Sequence, residues 1–542
     1  MAASRTRTTQ MTGLHSPLPP QAAEEPTHPT LHRRQFVLGP APVRPDAGWN
    51  TRAVDPSLVL SWSPSLPVAS AVDSRGGVWH LLGRAVQADA DGAPPLVELE
   101  RMQDGPVERL YRRWAGRWVL IGGGTVHTDA GAALGCFYRT VEAGEAAGAW
   151  VASSPALISD LPGSPPAAPI GPPLLAISKG MDWYPPPASR FAGVHRLLPS
   201  QVLRLAPAGP RIESRRLMAD ATGQADYGRI LDDAERTLRT TVAAYASGAS
   251  ELWLPLTGGV DSRLVLATSV AVGADVTAYT FDRPGLAPGD RELPPRLAAA
   301  VGVPHVMIKS GPARPERRSL YDLHTARHSI EIDRELFTRG QWDVVPRSAT
   351  SMRGGVFEVA RGFYRSRFPA ELPADDGEAH ALIASVFQFD RFHRRSRAHR
   401  DGIARWLEWA RRTPEPGLDW RDRLYLEQTI AGWLSSTAQG LDLFACELAY
   451  PANSHLLIGA LLRIDVGRRA AARHHIDLIG RMTPELLQFP FNPPGPIAAR
   501  ARRLVRSELH DVRAYPGRIA YVRHRMRWLR GAVSALVGSG RS

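Results

Sequence analysis

The run Leu256-Thr257-Gly258-Gly259-Val260-Asp261-Ser262-Arg263 sets a hydroxyl, two glycines, a carboxylate and a second hydroxyl side by side. Neither glycine carries a Cβ, so backbone N–H groups at Gly258 and Gly259 can converge on one anion. A helix starting directly after them adds partial positive charge at the same point. The hydroxyls of Thr257 and Ser262 can donate there too, which makes a cradle for pyrophosphate. Asp261 would repel that anion unless a divalent cation stood between them. Mg²⁺, held by a carboxylate and phosphate oxygens, is the natural bridge. No lysine follows the glycines, which separates this turn from the Gly-Lys-Ser/Thr phosphate loop.

The flanking residues supply the elements such a turn needs. Leu252 to Leu256 reads as a short apolar strand and Ser262 to Val272 as an apolar helix. Val276 to Phe281 is a second strand, Asp290 to Val301 a second helix, and His305 to Ile308 a third strand. Alternation of this kind predicts a parallel sheet covered by helices. Upstream, Tyr227, Ile230, Leu231, Ala234, Leu238, Val242 and Tyr245 recur at helical spacing behind Asp226, a candidate cap. Beyond about Ser319 the chain reads as mostly helical, most clearly over Arg421 to Thr437 and His455 to Arg463.

The first half has a different period. Val78 to Leu82, Trp118 to Ile121, Phe137 to Arg139 and Trp150 to Ala152 read as strands, with turns at Gly122-Gly123-Gly124 and Asp129-Ala130-Gly131. One helical segment, Pro106 to Trp114, interrupts them. The expected class is α/β: a disordered lead over 1–35, a β-rich α+β sandwich over 36–217, a parallel-sheet domain with a helical C-terminal portion over 218–495, and a basic helical tail over 496–542.

The turn resembles the Ser-Gly-Gly-x-Asp-Ser pyrophosphate loop of the asparagine synthetase superfamily, with Thr257 in place of the first serine. Asp290-Arg291-Glu292, Ala298-Ala299-Ala300, Gly302 and His305 are similar to the family's segment after its second strand. Gly354-Gly355-Val356-Phe357-Glu358-Val359-Ala360-Arg361-Gly362-Phe363-Tyr364 resembles its second ligand loop, and Asp442 through Pro451 the segment before its Pro-Phe-Leu-Asp turn. Asp129, Gly131, Tyr138 and Ser153-Ser154, with the lead-out Phe191 to Pro199, resemble the glutaminase-like sandwich (class II amidotransferase-like) that precedes such a domain. The resemblance implies an adenine-nucleotide α-hydrolase-like second domain and an ATP-dependent, AMP-forming amide ligase. It implies ATP on Leu256, Thr257, Gly258, Gly259, Asp261, Ser262, Gly354 and Gly355, and the strand topology puts the adenine near Tyr279, Thr280 and Phe281. Mg²⁺ would sit on Asp261 and Glu358.

Departures from the family pattern change what is expected. Family glutaminases use an N-terminal cysteine whose own α-amino group is the base. Position 2 is Ala2, initiation at Met11 would expose Thr12, and neither Cys136 nor Cys446 follows a methionine. The sandwich is therefore expected without glutaminase activity, and nitrogen from ammonia or a substrate amine. Phe357 stands where an acidic residue is expected before Glu358, and Ala449 and Ser454 where members often carry Arg and Asp. The family's pyrophosphate-facing lysine has no counterpart, since only Lys179 and Lys309 occur. Arg468, Arg469 or Arg473 could substitute, with Arg469 assigned the catalytic role beside Asp261 and Glu358; a guanidinium brings a fork, not a point charge.

Histidines add little at this stage. His324 and His328 stand four apart on one helical face without a third metal ligand, and His474-His475 should point apart on a helix. Glu331 and Asp333 are candidate substrate-pocket acids, while Tyr425 and Trp433 read as core.

The chain has 542 residues, 44% hydrophobic and 22% charged, and two cysteines, which excludes a disulfide scaffold or multi-cysteine metal site. No apolar run approaches the ~18 residues of a membrane span, and no signal peptide is apparent. The expected compartment is the cytoplasm. Of the net +13, most lies between Arg500 and Ser542, where eleven arginines face Glu508 and Asp511. Expected partners are small-molecule or peptide carboxylates and amines, with no membrane; a homodimer is left open. Nucleic acid is disfavoured, although the basic tail keeps a tRNA-adenylating enzyme as one alternative. A non-catalytic nucleotide-binding or scaffolding relative is the other.

Overall fold

The computed structural model describes residues 31–493, apart from 47, 104, 143, 145–146, 171–180, 207–208, 219–225, 284–285, 327–335, 337, 388–396 and 444–445. Most of the lead, His328, Glu331, Asp333 and the arginine-rich tail lie outside the described residues.

Twelve strands build the first half: Phe36–Gly39 (β1), Asn50–Asp55 (β2), Leu58–Trp62 (β3), Val68–Val72 (β4), Val78–Gln87 (β5), Trp114–Gly122 (β6), Thr125–Thr128 (β7), Phe137–Val141 (β8), Gly148–Ala152 (β9), His195–Arg196 (β10), Gln201–Ala206 (β11) and Gly209–Ser214 (β12). They form two six-stranded sheets, ordered β10-β8-β9-β1-β3-β2 and β12-β11-β7-β6-β5-β4. Side-chain alternation turns Leu38, Leu60 and Val151 of the first sheet toward Leu82, Val119, Ile121, Val126 and Leu203 of the second, in one buried cluster. The two sheets thus pack face to face. The helix expected over Pro106 to Trp114 is a single turn, Glu108–Tyr111. Trp114 instead opens β6, with its ring edge-on to Trp118 and its indole N–H donating to Glu98 at 2.6 Å.

In the second half, Leu252–Pro255 (β13), Val276–Asp282 (β14), His305–Lys309 (β15), Thr350–Met352 (β16) and Glu447–Ala449 (β17) form a parallel sheet ordered β15-β14-β13-β16-β17. The helices Tyr227–Ser247, Val260–Ala271 and Pro288–Ala300 cover it. Asp226 caps the first, its carboxylate accepting from Arg229 N–H. Beyond Ser319 the expectation of mostly helix misses β16 and β17, three-residue strands too short to show a period of two. Trp420–Leu424, Tyr425–Leu434 and Ser435–Asp442 run on as one helical rod, and the middle segment is wound as a π-helix.

Buried polar contacts join the halves. Arg117 of β6 clamps Asp442 with two 2.6 Å hydrogen bonds, and Asn453 donates to Gly116 O and to Asp129. Among the described residues, no helix is long and apolar enough to cross a membrane.

Candidate functional site

β13 is the strand from which the sheet order runs both ways: β14 and β15 lie on one side, β16 and β17 on the other. In open parallel sheets the crevice at the carboxyl end of such a strand is the usual place for a ligand. Leu256 follows β13, its N–H donating to Tyr279 O at 2.8 Å and its carbonyl accepting from Thr280 Oγ1 at 2.7 Å. The loop follows, and the helix Val260–Ala271 begins two residues earlier than expected, with Gly259 as its cap.

Within the loop, Thr257 Oγ1 lies 3.0 Å from Ser262 Oγ and accepts from Gly259 N–H at 3.2 Å. Thr257 is exposed. Gly258 N–H, the donor expected to meet a phosphate, instead donates to the Asp290 carboxylate at 2.9 Å. A protein anion thus occupies that donor. Gly258 also lies so near the next helix that a Cβ there would stand 3.2 Å from Gly289 O.

Gly354 and Gly355 follow β16, beside β13 in the sheet, and so emerge at the same edge. A Cβ on Gly354 would fall 3.0 Å from the Asp261 backbone carbon, so a bare backbone is what lets the two loops touch. The chain then turns into a 3₁₀ helix, Phe357–Arg361. Residues three apart eclipse in that helix, which places Glu358 and Arg361 on one side. Arg361 Nη2 donates to Glu358 Oε1 and to Asp261 Oδ2, at 3.0 Å each. Tyr425, in the π-helical segment, donates its hydroxyl to Glu358 Oε2 at 2.6 Å.

Asp261 and Glu358 are therefore brought together, with a guanidinium between them. The oxygen pair has the chemistry of a hard-cation site, but the residues do not accommodate a metal and Arg361 at once. Asp261 Oδ1 is buried without a hydrogen-bond partner and lies 3.4 Å from His475 Nε2. Burial, the larger effect, and the Glu358 charge push the Asp261 carboxyl up to about 7 against the pull of Arg361.

Several sequence assignments need correction. Arg469 does not face the loops: it is buried, pairs with Asp422 at 2.9 Å and donates to the Val359 and Ala360 carbonyls. Its fork braces the 3₁₀ helix from behind. Arg468 stacks on Tyr227 and Arg473 pairs with Asp477. His474 and His475 do not point apart. Both are buried with ring centroids 4.3 Å apart, in the first turn of a helix entered from left-handed Ala472. Phe357, in place of the expected acid, packs edge-on against His475. Tyr425 is core, as read, yet also holds Glu358.

Thr280 Oγ1 contacts His305 Nε2 at 3.0 Å, and the Phe281 ring rests on Trp342, so both are engaged within the protein. His324 is a core histidine, its ring nitrogens meeting His32 N–H and Gln439 O. Cys136 and Cys446 are buried, with thiols pushed up to about 12 and about 11.

The sequence reading also missed a crossing strap. Arg263, fully buried beneath the loop, donates to the carbonyls of Leu486, Phe489 and Pro490 and to Gly258 O, and its guanidinium lies 4.0 Å above the Phe491 ring. Asn492 N–H donates to Gly258 O at 3.0 Å. The segment Phe489–Pro493 is tied across the base of the loop by an arginine of the loop's own helix.

No protein-family model matches the chain, and no curated protein matches it. Solved structures with partial overlap include NMN synthetase of Francisella tularensis (12% identity, 36% of this chain and 92% of that one, TM-score 0.19). NH3-dependent NAD synthetase of Campylobacter jejuni overlaps similarly (14%, 37% and 93%, TM-score 0.19). Glutamine-dependent NAD+ synthetase of Acinetobacter baumannii, in complex with ADP, gives 15%, 42% and 51%, at a TM-score of 0.17. Overlaps of that size carry no argument about chemistry.

Proposed function

We propose that the chain is an ATP-dependent, AMP-forming carbon–nitrogen ligase resembling asparagine synthetase, with ammonia or a substrate amine as the nitrogen source. One observation carries the reading. The Thr257–Ser262 turn opens a helix at the carboxyl end of the strand where the sheet order diverges, and a second glycine loop from the neighbouring strand touches it. A substrate carboxylate oxygen attacks the α-phosphorus of ATP and pyrophosphate departs toward the loop. An amine nitrogen then attacks the activated acyl carbon, loses a proton, and AMP leaves with its bonding pair. Thr257 and Ser262 are the chain's hydroxyl donors to the departing group, and Gly258 N–H joins them once Asp290 yields. Arg361 supplies the positive charge beside Asp261. Mg²⁺ is compatible with Asp261 and Glu358 only with Arg361 displaced. The acyl and amine substrates are small molecules or peptides, the compartment is the cytoplasm, and the units are those delimited at 36–217 and 218–495.

The test is pyrophosphate release from ATP with a panel of carboxylates and amines. Asp261→Ala should abolish release while circular dichroism is unchanged; undiminished turnover would refute the assignment. Labelled glutamine should donate no nitrogen. A second reading, a non-catalytic relative, is favoured by Asp290 on the Gly258 donor and Arg361 on both carboxylates. It predicts no pyrophosphate release with any carboxylate and amine, with or without Mg²⁺.

A further inference from the structure

Away from the loops, a cleft of about 570 Å³ opens where edge strands β10 and β12 of the two antiparallel sheets diverge, and the helix Arg397–Arg412 closes its side. That volume is in the range of small-molecule sites. Its polar lining consists mostly of donors. Arg405 Nη1 lies 3.0 Å from His195 Nδ1. A guanidinium can only donate, so His195 accepts at Nδ1 and keeps its proton on Nε2. Burial and Arg405 hold the imidazole down to about 4, and burial raises the Tyr138 phenol to about 12, so at neutral pH the ring is uncharged and the hydroxyl protonated. Gln201 accepts from Leu198 N–H through Oε1, leaving its amide N–H₂ as a donor.

Acceptors are scarce. Among the described residues no carboxylate pairs with Arg405. Glu408, the acid of the lining, stands 3.7 Å from Arg412. A guanidinium set against a neutral ring, with further donors alongside, lacks an anion.

The apolar part of the lining is stiff. Trp409 lines it with Ile212. The Trp409 indole donates to Ser200 Oγ at 2.8 Å, and Ser200 donates onward to the buried carboxylate of Glu427. Glu427 also accepts from Trp406 at 2.8 Å and from Arg423 at 3.0 Å. A wall fixed this way needs little ordering when a ligand arrives.

We propose that this cleft is a second ligand site, separate from the glycine loops. It takes a small organic anion whose carboxylate or phosphate meets Arg405, His195 and Tyr138 and whose apolar body lies on Trp409 and Ile212. The proposal does not depend on the ligase reading.

Calorimetric titration of the full chain with benzoate, phenyl phosphate and benzyl alcohol tests it. At least one anion should saturate at one site per chain, and which one does separates a carboxylate ligand from a phosphate. Benzyl alcohol should bind at least tenfold more weakly. Arg405→Glu, on an exposed helical face, should weaken the anion at least tenfold, Arg405→Lys should lose less, and Asp261→Ala should leave it unchanged. Absence of saturation by either anion, equal binding of the alcohol, or wild-type affinity in Arg405→Glu would each overturn the proposal.

Discussion

Arg361 Nη2 lies 3.0 Å from Asp261 Oδ2, with the guanidinium where a bridging cation would otherwise stand. The same nitrogen serves Glu358. On the proposed function, arginine and metal would compete for one pair of carboxylates. Arg361→Gln should leave two partly buried acids without a counter-charge, lowering metal-free stability by roughly 1–3 kcal/mol. It should also tighten Mn²⁺ binding at least tenfold by calorimetry. Equal Mn²⁺ affinity in the variant and the parent would show that the guanidinium is no competitor.

The raised carboxyl of Asp261 fixes the sign of a pH effect. Its folded value is about 7 against 3.8 for an unperturbed aspartate carboxyl. Between those values the folded chain holds a proton that the unfolded chain has released. Stability from this group is thus highest at low pH and falls as pH rises toward 7, where ionisation in the buried site costs its full amount. Asp261→Asn cannot ionise and should lose that slope. Its gain over the parent should be near zero at pH 4 and on the order of 2–4 kcal/mol at pH 8. Parallel melting curves for the two proteins across that range would contradict the assignment.

The backbone of this site was legible because it is written locally. Two glycines after an apolar strand and before an apolar helix leave few alternatives, and the elements from β13 to β15 follow from period and punctuation alone. Side-chain roles were not local. Arg361 was visible three residues after Glu358, but only the 3₁₀ winding of Phe357–Arg361 turns both toward Asp261. His475 reaches Asp261 across 214 positions of sequence, through a helix entered from a left-handed residue that no periodicity announces. Arg469 failed as a candidate for the opposite reason. An arginine in the right stretch looked free, and the carbonyls that hold it belong to Val359 and Ala360.

Tyr425 is the second anchor of Glu358, through a 2.6 Å hydrogen bond from the wall of a π-helix. Tyr425→Phe keeps the ring against Phe363 and Tyr364 and deletes only the hydroxyl. A hydrogen bond to a charged acceptor contributes about 1.5–3 kcal/mol. The variant should melt lower by an amount of that order and release pyrophosphate on the order of tenfold more slowly, with Tyr425→His failing to restore either. Wild-type rates in Tyr425→Phe would mean that Glu358 needs only Arg361.

Arg263 joins the loop to the strap. Burial pushes its guanidinium down to about 10, so it is still charged at neutral pH, and four carbonyls, two from the strap segment and one each from Leu486 and Gly258, accept from it. Arg263→Met preserves most of the stem's packing and removes every donor. Leaving the Leu486, Phe489 and Pro490 carbonyls without this donor should cost on the order of 3 kcal/mol. Hydrogen exchange should quicken over residues 486–493 and at Gly258, while β5 and β6 in the antiparallel half keep their protection. Uniform loss of protection throughout the chain would instead make Arg263 a general core residue, and unchanged exchange at the strap would mean that Asn492 holds the crossing alone.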